Sequence, residues 1–472
     1  MKRLIYLIAL LPFFVACEKN NENLPPVDEP GEPVDTTDII SYTHHQEWSY
    51  NKGLYEVNIR QYTPEGTFDA FAAHLPRLKE MGVGILWLMP INPIGVEKRL
   101  GSLGSYYSIS NYQAINPEFG NMTDFKELVE AIHDAGMYVV IDWVANHTSW
   151  DNVLTTAHPE FYVTNTSGEF IPPPGTNWSD VIELNYANRD LRAYMIESME
   201  FWVKEAGIDG FRCDAVDFVP LDFWKAANDS LKKLRPDLLM LAEGEGTKYH
   251  NNGFDMTYAW SLHGFEGGIL TGIYEGTKNV SALDNFLTTE LTNYSGEYRL
   301  YFTSNHDENS WVGTDAEQYG VSAPTFASLT HTLFGMPMIY SGQEAGLNKR
   351  FQFFEKDLIP WNEHSNKSLY TSLLDLKKNN KALWNGTEGG DPQRINTTAN
   401  TKVFAIYRQK DEHKVFAYFN LSAQQVSFEF TGTGFEGSYT ELFSDTVVEV
   451  APSVSITLAQ WEYRVLHVTP EN

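Results

Sequence analysis

Cysteine is nearly absent from this chain, with two in 472 residues, Cys17 and Cys213, so a disulfide framework is excluded and a large fold must be stable through its core. Positive charge is also scarce. Thirty-four Lys and Arg face 62 Asp and Glu, a formal net charge of -28, and no basic cluster offsets it locally. Such a surface repels phosphate backbones, which excludes nucleic acid as a partner and leaves neutral substrates unaffected. The apolar run at 4–16 is too short to span a bilayer. Charged residues make up only 20% of the chain, but 42% is apolar, enough to exclude wholesale disorder. Aromatic residues reach 14%, which suits a large core and also a protein that stacks flat apolar faces against exposed rings.

The amino terminus reads as an export signal. Lys2 and Arg3 precede the apolar run, and Phe14-Val15-Ala16-Cys17 resembles a bacterial lipobox, in which the cysteine becomes the lipidated first residue. Residues 1–17 are therefore expected to be a lipoprotein signal peptide ending in its lipobox cysteine. Acyl chains contribute about 0.8 kcal/mol per buried methylene, so a multiply acylated Cys17 would hold the protein on a membrane without a transmembrane helix. The expected location is the bacterial cell envelope, at the outer membrane on its periplasmic or surface side. Residues 18–40, rich in Asn, Glu, Asp and Pro, read as a flexible tether.

Beyond the tether, short β-branched runs alternate with amphipathic stretches, the pattern of repeated βα units on a parallel sheet. Strands are expected at 54–60, 83–89, 137–143, 208–213, 238–243, 254–258, 299–303 and 337–340, and helices most clearly at 68–81, 122–135, 190–206 and 220–234. Eight strands with intervening helices predict an α/β fold, a (β/α)8 TIM barrel over 41–385. An open doubly wound sheet is the runner-up, but no Gly-rich phosphate loop follows the first strand. A polar, Pro-rich excursion at 148–188 predicts an inserted loop subdomain after the third strand, over the catalytic face. Past about 386 the period changes to alternating short runs, which predicts a C-terminal antiparallel β-sandwich over 386–472.

In such a barrel, chemistry is carried at the carboxyl ends of the strands. Four ends bear titratable groups: Asp142-Trp143-Val144-Ala145-Asn146-His147, Gly210-Phe211-Arg212-Cys213-Asp214, Leu241-Ala242-Glu243-Gly244-Glu245 and Ser304-Asn305-His306-Asp307. Any one acid after a strand is more often a helix cap than a catalyst, but four such ends together reverse that balance. In this order they resemble the motifs of glycoside hydrolase family 13, the α-amylase family. The resemblance extends to Tyr55-Glu56-Val57-Asn58-Ile59-Arg60, to Gly104-Ser105-Tyr106-Tyr107-Ser108 and to Ile339-Tyr340-Ser341-Gly342-Gln343-Glu344, and covers roughly 50–350.

Carried over by position, the resemblance implies that Asp214 is the nucleophile, Glu243 the general acid and base, and Asp307 a third carboxylate that binds hydroxyls and helps distort the ring. Tyr107 resembles the stacking platform of the sugar at the cleavage point, His147 and His306 the pair that hydrogen-bond its hydroxyls, and Asp142 the acid that orients Arg212. Arg212 falls on the same strand face as Asp214, where its charge is expected to keep the nucleophile ionised. Glu243 is expected to stay protonated because neighbouring carboxylates raise its pKa, and Glu245 is its rival for that role. The implied activity is retaining hydrolysis of α-linked glucans such as starch or maltodextrins. The alternatives are an α-1,6-acting, neopullulanase-like or transglycosylating member, or a glycan-binding barrel without catalysis.

One place departs from the family pattern. Asp217 and Phe218 stand where many members carry Lys-His, whose His contacts a structural calcium, so calcium there is doubtful although Asn146 matches a ligand position. No cofactor is required for the chemistry, the metal content is left unknown, and a monomer is expected.

Overall fold

The computed structural model describes residues 45–264, 267–361 and 364–470. Cys17, the signal peptide and the tether lie outside the described residues. Eight parallel strands close into a barrel: Leu54–Val57, Ile85–Leu88, Tyr138–Val144, Gly210–Asp214, Leu239–Ala242, Met256–Tyr258, Tyr298–Tyr301 and Met336–Tyr340. Each neighbours the next in chain order, and the last pairs with the first through Leu54 opposite Met338. Leu54, Ile85, Trp87, Val140, Leu239, Leu241, Met256, Leu300 and Met338 form one buried cluster, as expected of barrel strands whose inward side chains fill the interior.

All eight expected strands are present, with ends that shift by up to three residues. The first stops at Val57 because Ile59–Tyr62 turns helical, so Ile59 and Arg60 do not belong to it. The helix expected over 68–81 is two, Phe68–Ala72 and Leu75–Met81. Pro76 explains the break: lacking an N–H, it fits the first turn of a helix and not its interior. The helices Met122–Asp134 and Arg189–Ala206 begin at the asparagine caps Asn121 and Asn188. In the first of these, Phe125, Leu128, Val129 and Ile132 face the barrel at i, i+3, i+4 and i+7, each burial contributing about 1.5–3 kcal/mol.

One glycine is fixed by close approach. Gly210 opens the fourth strand at φ +155, and a Cβ there would lie 1.9 Å from the Leu239 carbonyl oxygen. Only glycine lets the fourth strand start this close to the fifth, at the amino end of the strand that carries Arg212 and Asp214.

Within the excursion after the third strand, His147–Ser149 pairs with Val181–Glu183 in a two-stranded ladder that encloses the short helix Val153–Ala157. At the C-terminus an antiparallel sheet runs in the order Gln393–Arg394, Val403–Lys410, His413–Asn420, Tyr463–Val468, Gly437–Glu441, Val447–Val450. Alternate residues serve two interfaces. Val403, Ala405 and Tyr407 face an aromatic core with Phe428, Phe430 and Phe435, which lie on or beside two short ladders. Phe404 and Ile406 pack with Phe326 and Leu329 of the barrel helix Ala323–Thr332. With both faces covered, the sheet is apolar on both.

Candidate active site

The carboxyl ends of the third, fourth and fifth strands are in register, with Asp142 opposite Arg212, Val144 opposite Asp214 and Cys213 opposite Ala242. That register brings three acids and one cation together. Arg212, fully buried, donates from Nη1 to Asp142 Oδ1 at 3.0 Å and to Asp214 Oδ1 at 2.9 Å, while its Nη2 lies 2.8 Å from Glu243 Oε1. Its Nε donates to the Tyr258 hydroxyl at 3.3 Å, and its plane lies 4.9 Å from the Trp87 ring, whose indole N–H donates to Asp142. A planar guanidinium can hold several carboxylates at fixed angles, which a lysine cannot. Glu243 has a second anchor in the Ala215 N–H, 2.7 Å from its Oε2. Ala215 reaches that position at φ +45, a strained conformation for a residue with a Cβ and typical of functional turns.

The fourth acid, Asp307, follows the seventh strand with its side chain 23% exposed, so it faces the opening of the cleft. His306 beside it contacts Asp307 Oδ2 at 3.3 Å and the Tyr107 hydroxyl at 2.7 Å through Nε2, and Glu56 Oε1 at 2.5 Å through Nδ1. Tyr107 also donates to Asp142 at 3.1 Å, and its ring stacks on His306. His147 meets this network through the backbone of Tyr107. Its ring nitrogen lies 3.3 Å from Asn146 Nδ2 and its ring 5.3 Å from Trp178.

The electrostatics separate groups that the sequence treats alike. Burial raises the Glu243 pKa to about 8; Arg212 opposes the rise, and Asp214 and Asp307 add to it. Desolvation is thus the leading cause, ahead of the neighbouring carboxylates to which the sequence reading attributed it. Asp214 is raised only to about 6, again by burial first, with Arg212 pulling it down. Arg212 therefore limits the rise without cancelling it, and near neutrality Asp214 is the ionised acid and Glu243 the protonated one. The two histidines diverge. Burial lowers His147 to about 4, so it is neutral, whereas Asp307 and Glu56 raise His306 to about 9 against burial, so it is a cation.

Glu245, the rival acid, is engaged elsewhere: it accepts from Arg299 Nη2 at 2.5 Å and from the Ser261 N–H and hydroxyl. Asp217 pairs with Lys248 at 2.6 Å, and Phe218 is exposed against Trp178. Among the described residues, no three His, Cys, Asp or Glu side chains at the strand ends lie close enough to share a metal ion. The one such group, Asp69, Asp124 and Glu127, lies on the outer helices. Glu56, Trp87, Ala215 and Tyr258 complete the site without having been singled out from the sequence. Only Glu56, an acid inside an apolar strand, carried a readable signal.

Comparison with known proteins settles the family. The sequence model of the alpha amylase catalytic domain matches residues 35–170 and 175–427. The chain belongs to the alpha-amylase family. An alpha-amylase from Lactobacillus plantarum is 30% identical, with a TM-score of 0.79 over 90% of this chain and 100% of that one. The noncanonic maltogenic alpha-amylase AmyB from Thermotoga neapolitana is 28% identical, with a TM-score of 0.78 over 89% and 99%. Alpha-amylase MalA of Haloarcula japonica is 26% identical over 70% of this chain, which spans about half (48%) of that relative's length. This alpha-amylase-family barrel is a glycoside hydrolase fold with its acids gathered at the carboxyl ends of the strands.

Proposed function

We propose that the chain is a retaining α-glucan hydrolase, an α-amylase-like, endo-acting enzyme on starch or maltodextrins. One observation carries the reading: Asp214 and Glu243 are bound to the two terminal nitrogens of one guanidinium and are held in opposite protonation states near neutrality. Carboxyls anchored that closely suit the roughly 5 Å separation of retaining glycosidases better than the wider gap of inverting ones, which must admit a water. In the first step the Asp214 carboxylate attacks the anomeric carbon while Glu243 gives its proton to the leaving glycosidic oxygen. Glu243, now ionised, then takes a proton from the water that hydrolyses the glycosyl ester, restoring both groups. Asp307, open to the cleft, accepts hydrogen bonds from sugar hydroxyls, and Tyr107 offers its ring to the sugar face. His147, neutral, can donate and accept.

The names of the relatives, amylases and a maltogenic amylase, support glucan as substrate. The test is the Asp214→Ala protein on soluble starch, with the first-formed anomer followed by NMR in the unmodified enzyme. Turnover should vanish and the α-anomer should appear first; unchanged turnover or an initial β-anomer would overturn the reading. We further propose export and lipidation at Cys17, with anchoring to the outer membrane, supported by the charged start, apolar run and lipobox-like sequence. No helix among the described residues is long and apolar enough to cross a membrane. A Cys17→Ala protein should leave the membrane fraction, and its full retention there would count against the anchor.

A further inference from the structure

Among the described residues Trp311 is the only exposed tryptophan, with 52% of its surface open. It sits four residues past Asp307 in a single π-helical turn, Glu308–Val312, closed by the Gly313 N–H on the Glu308 carbonyl at 2.8 Å. Single π-helical turns are frequent at functional sites. The ring is the outer end of a row. Tyr107 lies parallel to Phe353 at 6.2 Å and 13°, and Phe353 meets Trp311 at 5.3 Å, with Phe354 at 6.0 Å on the same side. The row is rigid: Asn309 donates to the Lys349 carbonyl at 3.0 Å and accepts from the Phe351 N–H at 3.0 Å, tying the turn to the loop that carries Phe353 and Phe354.

We infer that Trp311, backed by Phe353, is a stacking platform for a glucosyl unit on the non-reducing side of the bond that is cut. The inference rests on the α-glucan reading above and adds to it where the chain of the substrate runs. The side follows from the proton transfer. Glu243 protonates the leaving oxygen, so the departing part of the glucan lies toward the fifth strand, whereas Trp311 follows the seventh strand and Phe353 the eighth. An unbroken aromatic surface leads from Tyr107, under the sugar being cleaved, to Trp311 at the solvent. The apolar face of a pyranose suits such a ring, and a ring fixed in advance loses little entropy on binding.

The experiment measures binding of maltoheptaose by the full chain carrying Glu243→Gln, with and without Trp311→Ala or Trp311→Phe, together with KM and kcat of the single Trp311 variants. Trp311→Ala should weaken maltoheptaose binding about five- to tenfold and raise KM by the same factor with kcat within about twofold, and Trp311→Phe should keep most of the affinity. The thermal midpoint of Trp311→Ala, followed alongside, should stay close to that of the parent. Affinity and KM equal to the parent's would overturn the platform, as would a change confined to self-association, which would assign the ring to a second copy of the chain. If the Glu243→Gln parent itself fails to bind maltoheptaose, the α-glucan reading falls and the platform with it.

Discussion

Replacing Arg212 by lysine tests the electrostatic core of the mechanism. Arg212 contacts Asp142, Asp214 and Glu243 at 2.8 to 3.0 Å with no exposure to solvent, and it lowers the pKa of each against the rise that burial imposes. A lysine ammonium is a point charge on a flexible stem and cannot serve three carboxylates in these directions. Losing one charge-assisted bond to Asp214 forfeits about 1.5–3 kcal/mol, and at about 1.4 kcal/mol per decade kcat/KM at pH 7 should fall roughly ten- to 150-fold. The direction in pH is the sharper part. The proposed mechanism needs Asp214 ionised and Glu243 protonated, so activity of the unmodified protein should be a bell with limbs at about 6 and about 8 and a maximum near neutrality. Weakening the cation raises both values, so both limbs of the Arg212→Lys enzyme should move to higher pH. The assay is kcat/KM on maltoheptaose between pH 4 and 10. Limbs that stay in place, or move toward acid, would refute the assignment of Arg212 as the group that sets both protonation states.

Two stability predictions follow from the same framework. Gly210→Ala drives a Cβ into the Leu239 carbonyl and should cost about 4 kcal/mol or more, whereas Gly136→Ala, left-handed with open space around it, should cost only about 1–2 kcal/mol; urea unfolding distinguishes them, and equal losses would refute the close-approach argument. Lys232→Met removes the amine that holds the buried Asp255 carboxylate well below its ordinary value, leaving it the Gln46 amide and the Met240 N–H, and should lose about 3–5 kcal/mol at pH 7. Because the Asp255 contribution is present above its unfolded pKa and lost as pH falls through the folded one, the gap between the two proteins should narrow on acidification; a gap that widens would contradict the pairing.

The barrel was legible because its strands are covered on both faces and so read as continuous apolar runs, and because an asparagine cap marks two of the three helices placed to within one residue. Strand ends were not, since nothing in Asn58-Ile59-Arg60 announces a helical turn, and Pro76 gave a break signal that the apolar period of 68–81 masked. The acids and Arg212 could be found because their spacing along strands is local. Tyr258, Trp87 and Ala215 could not, because each acts through a neighbour distant in sequence: a hydroxyl under Arg212, an indole on Asp142, a strained N–H on Glu243. Trp311 was invisible for the same reason, since an exposed ring has meaning only once its row of neighbours is known.

The two histidines show how far local sequence underdetermines chemistry. Both follow an asparagine at a strand end, yet one is held neutral and the other charged, and the difference traces to Asp307 and then to Glu56, which is fully buried and has one oxygen on His306 and the other without a partner. Burial raises Glu56 while His306 pulls it down, so each member of the pair sustains the other's charge. His306 is raised to about 9, so its stabilising contribution is complete below the ordinary histidine value and is lost as pH rises through 9. Glu56→Gln keeps the shape and removes the anion. His306 should then titrate about one to two units lower, the loss of one charge-assisted bond of about 1.5–3 kcal/mol, and the fall in stability from pH 7 to 9.5 should flatten. NMR titration of the imidazole and urea unfolding at the two pH values measure both effects. An unmoved His306 would mean that Asp307 alone holds the proton, and the charged state would then belong to the cleft and not to the strand beneath it.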